Sequence, residues 1–137
     1  MSDKKLQNRV AVITGASKGL GKAMALALAA EGARLVLVAR NAAQLEAAAV
    51  EVRALGAEAW VFPTDVTDEA QVEKLRADVA ARFPAVHILI NNAGMNIRKP
   101  LTEFSLTEWR LVLDTNLTSV FLLTRSSRIW SAAAADA

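Results

Sequence analysis

The chain alternates between two hydrophobic patterns. Short, almost continuous apolar runs each lead into a longer stretch whose apolar residues recur at helical spacing. The first run, Arg9 to Thr14, predicts a strand, and Leu20 to Glu31 predicts a helix with Met24 and Leu28 on one face. Gly32 is placed to end that helix as a left-handed cap. Arg34 to Ala39 is a second strand, apolar on both faces as in a parallel sheet. Asn41 and Gln44 resemble a capping box that opens a second helix, with Leu45, Ala48, Val52 and Leu55 as its stripe and Gly56 at its close. Glu58 to Phe62 predicts a third strand, stopped by Pro63. A third helix follows, capped by Thr67 or Asp68 and buried through Val72, Leu75 and Val79. Val86 to Ile90 predicts a fourth strand. Ser105 and Glu108 form a second capping box, opening a helix that carries Trp109, Leu113, Asn116, Val120 and Leu123 on one side.

This βαβαβαβα order with short connections implies an α/β fold: a doubly wound parallel sheet with helices on both faces. Right-handed crossovers place the strands in the order 3-2-1-4. The switch point then falls between the first and fourth strands, where ligands of such sheets bind.

Two unusual segments meet at that point. Between the first strand and first helix stands Thr14-Gly15-Ala16-Ser17-Lys18-Gly19-Leu20-Gly21. Gly15 permits a tight turn, Gly19 lets the backbone approach a ligand, and Gly21 lets the helix pack close to the strand. The first amides of that helix have no partner within it and favour an anion. After the fourth strand stands Asn91-Asn92-Ala93-Gly94. Its two amides need partners, and its two small residues admit a ribose and a nicotinamide.

The end of the second strand bears on which nucleotide fits. A carboxylate there would bond a ribose 2′-hydroxyl and repel a 2′-phosphate. The residues present are Ala39 and Arg40, with Lys18 as a second cation in the glycine turn. This corner favours NADP(H) over NAD(H). Asp65, just past the third strand, reads either as an adenine-pocket residue or as a turn aspartate. Asn116 reads as a buried core polar group or as part of a water relay, the core reading being favoured. His87 is read as structural. The three tryptophans, Trp60, Trp109 and Trp130, form no stacking platform at their spacing.

Composition narrows the class. With 137 residues the chain holds one domain with a real core. A net charge of +2, with scattered cations, leaves no nucleic-acid footprint, so no nucleic-acid partner is expected. The longest small-apolar run, Ala23 to Ala30, is too short to span a bilayer, so no membrane association is expected either. The N-terminus has no apolar signal core, and cysteine is absent; both fit a cytoplasmic protein.

Taken in order, the glycine turn, Asp65, Asn91-Asn92-Ala93-Gly94 and Asn116 resemble the classical short-chain dehydrogenase/reductase family, over about Arg9 to Arg125. The resemblance implies a Rossmann-type fold and hydride transfer between NADP(H) and a small carbonyl or alcohol substrate. Gly15, Ser17, Lys18, Gly19, Leu20, Gly21, Arg40, Asp65, Val66, Asn92, Ala93 and Gly94 would bind the cofactor. Asn116 would be the family asparagine at a helix kink, one of the catalytic set. Relatives of this kind form homo-oligomers. The segment Asn96 to Pro100 resembles members acting on sugar acids or tropinone, and related members reduce 3-oxoacyl groups on carrier protein.

The chain also departs from the family. It contains no tyrosine, so the Tyr-x-x-x-Lys pair that the resemblance implies is missing, as is the strand carrying the catalytic serine. Residues 1–125 read as the dinucleotide-binding part of one such domain. Residues 126–137 read as an atypical, frame-shifted tail on a truncated product, one expected to be inactive, or to serve as a non-catalytic NADP-binding module. The fourth strand would then be a long apolar edge, a hazard for folding and solubility.

Overall fold

The computed structural model describes residues 3–126. Four parallel strands lie in the order 3-2-1-4: β1 (Val10–Thr14), β2 (Arg34–Ala39), β3 (Ala59–Pro63) and β4 (Ile88–Ile90). The register pairs Val12 with Val36 on one side and with Leu89 on the other. This is the Rossmann-type order expected from right-handed crossovers. The helices are α1 (Gly19–Ala30), α2 (Ala42–Ala54), α3 (Glu69–Arg82) and α4 (Leu106–Leu113). A 3₁₀ turn, Leu101–Glu103, precedes α4; a π turn, Asp114–Thr118, follows it, and α-helix resumes through 119–126.

Side chains alternating along each strand feed two apolar cores, one on each sheet face. Ala11, Ile13, Leu35 and Leu37 pack with Ala25, Ala29, Leu45 and Val52 of α1 and α2. Val10, Val12, Val36 and Val38 pack with Val72, Leu75 and Val79 of α3, and with Leu122 and Leu123.

Local chemistry sets the element ends. Asp68 caps α3 by accepting from the Gln71 amide, and Ser105 with Glu108 closes a full capping box on α4. Asn41 caps α2 through Gln44, without the reciprocal bond of a box. Gly32 and Gly56 follow their helices with φ of +91° and +84°. Pro63 remains inside β3, paired with Ala39 at its last position.

Several expectations are corrected. The buried face of α1 is Gly21, Ala25 and Ala29, with Met24 and Leu28 only half-buried, because the sheet approaches along the small-residue stripe. Leu55 falls just past the end of α2 as its C-cap and is exposed. Only the far end of the predicted stripe enters the core, at Leu123: Trp109 and Leu113 are exposed, and α4 buries no residue. The π turn rotates the following helix out of phase, so burial begins only at Ser119. The edge strand β4 is three residues long, not the extended apolar edge expected. Its entry is fixed by His87, which accepts from the Val10 amide at Nδ1 and donates its own amide to the Val10 carbonyl, both at 2.9 Å. Trp60 meets Phe83 edge-on at 4.8 Å, a core contact. Ser126 is buried and donates to the Leu122 carbonyl. Trp130 and the rest of the atypical tail lie outside the described residues.

Candidate functional site

The carboxyl ends of the strands open into a cleft of about 590 Å³. The β1–α1 turn supplies Gly15, Ser17 and Lys18; the end of β2 supplies Ala39, Arg40, Asn41 and Gln44. The β3–α3 turn adds Thr64, Asp65, Val66 and Thr67, and the segment after β4 adds Ala93, Gly94 and Met95. Leu111 and Thr115 close the far wall. The volume lies within the roughly 300–1,000 Å³ usual for small-molecule and cofactor sites.

Two glycines of the turn have distinct geometric reasons. Gly15 has φ +63°, and its carbonyl accepts from Asn92 Nδ2 at 3.2 Å. Gly21 is buried so tightly that a Cβ would collide with the Gly15 carbonyl oxygen and lie 2.6 Å from Asn92 Nδ2. Gly19 is different: at φ +56° a Cβ there would meet nothing within 4 Å. That open space lies at the start of α1, whose N-cap, Lys18, makes no side-chain capping bond. The first amides of α1 therefore remain available to an outside acceptor.

Thr14 binds the two segments together. Its hydroxyl accepts from the amides of Asn92 at 3.0 Å and Ala93 at 2.9 Å. The sequence marked Thr14 only as part of a motif; the structure makes it the joint between glycine turn and Asn-Asn-Ala-Gly segment. Asn92 stands behind the wall, holding Gly15. Asn91 donates to Thr124 Oγ1 at 3.2 Å, while its Oδ1 is buried without a hydrogen-bond partner among the described residues.

Asp65 is a turn residue and a cleft residue at once. Its Oδ1 accepts from the amide and hydroxyl of Thr67 at 2.9 and 2.7 Å. The Thr67 hydroxyl lowers the Asp65 pKa most; the Thr67 amide and the Arg40 charge act the same way, against partial burial. Lys18 and Arg40 make no ion pair among the described residues, although both line the cleft. Val66 is buried beneath the Asp65 turn.

Asn116 is not the buried core residue that its helical spacing favours; it stands in a π turn of the helix for which the family resemblance implies a kink. It is exposed within the π turn, because its amide reaches across to backbone instead of inward. Oδ1 accepts from the Met95 amide at 2.9 Å and Nδ2 donates to the Met95 carbonyl at 2.7 Å. Leu20 is 68% exposed and does not line the cleft. Thr64, Thr67 and Met95 line the cleft beside recognised turns, Thr67 being read from the sequence only as a helix cap, while Leu111 and Thr115 line it with no signal in the sequence. Among the described residues there is no group of three His, Cys, Asp or Glu suited to a metal ion, and no helix long and apolar enough to cross a membrane.

A Rossmann-type sheet with a glycine turn and a polar cleft at its switch point defines a nucleotide-binding α/β protein. Comparison with known proteins narrows the class. Residues 9–129 match the short chain dehydrogenase family, and the chain belongs to it. It is 38% identical over 122 residues to a 3-oxoacyl-[acyl-carrier-protein] reductase of Synechocystis sp., covering 88% of this chain and 49% of that protein. It is 39% identical to a 2-dehydro-3-deoxy-D-gluconate 5-dehydrogenase of Pseudoalteromonas atlantica, over 88% of this chain and 48% of that protein. The chain thus spans about half the length of the curated relatives it matches. Among solved structures, a metagenomic short-chain oxidoreductase in complex with NADP superposes with a TM-score of 0.90 at 35% identity, over 94% of this chain and 59% of that one. An NAD⁺-bound xylitol dehydrogenase superposes with a TM-score of 0.89 at 32% identity, over 93% and 50%.

Proposed function

We propose that the cleft holds NADP(H), and that the protein is a cytoplasmic oxidoreductase that moves hydride between the nicotinamide and a small carbonyl or alcohol. The observation that carries the choice of cofactor is the corner at the end of β2. Arg40 stands there and Lys18 lines the same cleft, neither with an ion pair among the described residues, and no carboxylate stands at the end of that strand. A 2′-phosphate would gain two cations there, whereas a 2′-hydroxyl would leave both unanswered.

The remaining residues fit a dinucleotide. The open space over Gly19 and the free amides of α1 suit a pyrophosphate. Ser17 and Leu20 flank that approach. Asp65 and Val66 suit the adenine side, and Ala93 and Gly94 leave room for the nicotinamide ribose. Asn92 and Gly21 act from behind, by keeping the turn in place. The bound cofactor supplies the hydride. Asn116 positions the nicotinamide end of the cleft through Met95. The names of the relatives support a 3-oxoacyl group or a sugar-acid carbonyl as substrate. Self-association as the working state rests on the family resemblance alone.

A second reading has its own observation. The chain contains no tyrosine, the proton donor that the family resemblance implies. Assayed alone, the 137-residue chain then acts as an NADP-binding module without turnover. Fluorescence titration with NADPH and NADH, beside a carbonyl-dependent NADPH oxidation assay, separates the readings. NADPH binding at least tenfold tighter than NADH is expected, with Arg40→Asp reversing the order. Equal affinities, unchanged by that substitution, would overturn the cofactor assignment. Turnover by this chain would overturn the second reading.

A further inference from the structure

We propose that His87 is a pH-sensitive latch that positions the cleft wall through β4, holding the strand when the imidazole is neutral and releasing it when protonated.

Histidine is the side-chain type that changes charge between about pH 5 and 8, and His87 is the sole histidine of the chain. It stands just ahead of β4 and is exposed. Its Nδ1 accepts from the Val10 amide at 2.9 Å, and its own amide donates to the Val10 carbonyl. A backbone N–H can only donate, so the bond requires a lone pair on Nδ1 and puts the ring proton on Nε2. The imidazole thus serves the Val10 amide as a carbonyl serves elsewhere in the ladder. A second proton would turn Nδ1 into a donor aimed at a donor. The rung would then break, and the exposed ring would turn out to water.

No neighbouring charge is placed to keep a protonated ring at its post. β1 and β4 carry no charged residue. On the flanking elements stand Lys5 and Arg9 ahead of β1, Glu31 at the end of α1, Asp78 and Arg82 in the last turns of α3, and Arg125 after the π turn. None of them bonds the His87 ring. Glu31 takes the Lys5 amide, Asp78 pairs with Lys74, and Arg125 pairs with Glu69.

The latch matters because β4 is short and has one partner. Among the described residues it pairs only with β1, through three residues. Two fastenings flank those pairs. At the exit the Thr14 hydroxyl accepts from the amides of Asn92 and Ala93; at the entry stands the rung between His87 and Val10. Loss of the entry rung leaves the strand tied at one end, and the segment it carries into the cleft loosens with it. The link to the cofactor rests on the NADP(H) reading; the latch itself does not.

The test follows amide exchange on the whole, cofactor-free chain at about pH 7.5 and about pH 5.5, expressed as protection over the unfolded rate at each pH. Amides of β2, between β1 and β3, serve as the reference. Protection at Val10 and through β4 should fall about five- to tenfold in acid relative to β2, with a smaller fall at Asn92 and Ala93. His87→Asn offers the Val10 amide a side-chain oxygen that does not titrate, so its protection should stay level across the two pH values. His87→Phe removes the acceptor and should show the loss already at the higher pH. If that variant does not fold, the comparison of wild type with His87→Asn decides alone. No acid loss in the wild type, or an equal loss in His87→Asn, would overturn the proposal. Calorimetric titration with NADP⁺ then reads the cleft. The 2′-phosphate itself gains a proton in this range, so the wild type is compared with His87→Asn. Acid should weaken binding to the wild type about two- to threefold more. An equal weakening would overturn the link to the cleft. If neither protein binds the cofactor, the NADP(H) reading fails, and exchange at Asn92 and Ala93 decides whether the latch reaches the cleft.

Discussion

Gly21, the third residue of α1, lies directly against Gly15, just past the end of β1, with no room for a methyl group between them. The contact sets how closely α1 approaches the sheet, and so where its free amides lie. Gly21→Ala forces a Cβ into a backbone carbonyl, which cannot swing aside as a side-chain tip could. The expected cost is about 3 kcal/mol or more in urea unfolding. Gly19→Ala meets no atom and should cost only about 1–2 kcal/mol, for its positive φ. Its larger effect should be on NADPH affinity, because the methyl would occupy the approach to α1. Similar stability losses for both variants would contradict this division.

The Thr14 hydroxyl bears a load that its size conceals. It is 2% exposed and satisfies two backbone amides from the segment after β4. Thr14→Val keeps the shape and leaves both donors without an acceptor. We expect a loss of about 2–3 kcal/mol, with Thr14→Ser restoring most of it. Amide exchange at Asn92 and Ala93 should accelerate in the valine variant beyond the global change. Uniform acceleration across β4 would place the defect in general packing instead.

Much of this architecture is legible in the residue order, for physical reasons that also explain the failures. Strand order follows from apolar runs and crossover handedness, and helix starts follow from Asp68, Ser105 and Asn41, whose side chains bond backbone a few residues away. The packing face of α1 was misjudged because large apolar residues dominate any periodic reading, while close sheet contact selects Gly21, Ala25 and Ala29. The π turn has no residue signature. Extrapolating a regular helical period across Asp114–Thr118 placed Trp109, Leu113 and Asn116 inside, where the structure exposes all three. In the cleft, motif residues such as Gly15, Lys18, Arg40 and Gly94 could be named in advance. Leu111 and Thr115 could not, since they reach it only through the tertiary placement of α4.

Asp65 gives a pH-dependent prediction with a definite sign. Its pKa is held below the ordinary 3.8, chiefly by the Thr67 hydroxyl. A carboxylate with a depressed folded-state pKa adds stability above its unfolded value, and that stability fades as pH falls through the folded value. Thr67→Val removes one of the two donors to Oδ1, so it should cost about 1 kcal/mol at pH 7. As pH falls through the folded value the carboxyl becomes protonated in both proteins, and the difference should shrink toward zero. Urea midpoints followed from pH 7 down into acid check this. NMR titration of the Asp65 carboxyl should give a higher pKa in the variant. A gap that persists unchanged in acid would show that Thr67 acts through packing alone.

Asn116 clamps Met95 by both its amide and its carbonyl, and Gly94 lies under the same clamp. A Cβ on Gly94 would sit 2.8 Å from Asn116 Oδ1, so the glycine is what lets the carboxamide close. Asn116→Ala should cost about 1 kcal/mol, modest because the site is exposed, and should speed exchange of the Met95 amide. Gly94→Ala should produce the same local loosening by pushing the side chain away. The two effects share one cause, so they should not add: in the Asn116→Ala background, Gly94→Ala should cost markedly less than alone. Asn116→Asp keeps an acceptor for the Met95 amide but loses the donor to its carbonyl, and should fall between wild type and alanine in Met95 exchange. A double-mutant cycle with no coupling would mean that Gly94 is required by its own backbone, not by the clamp above it.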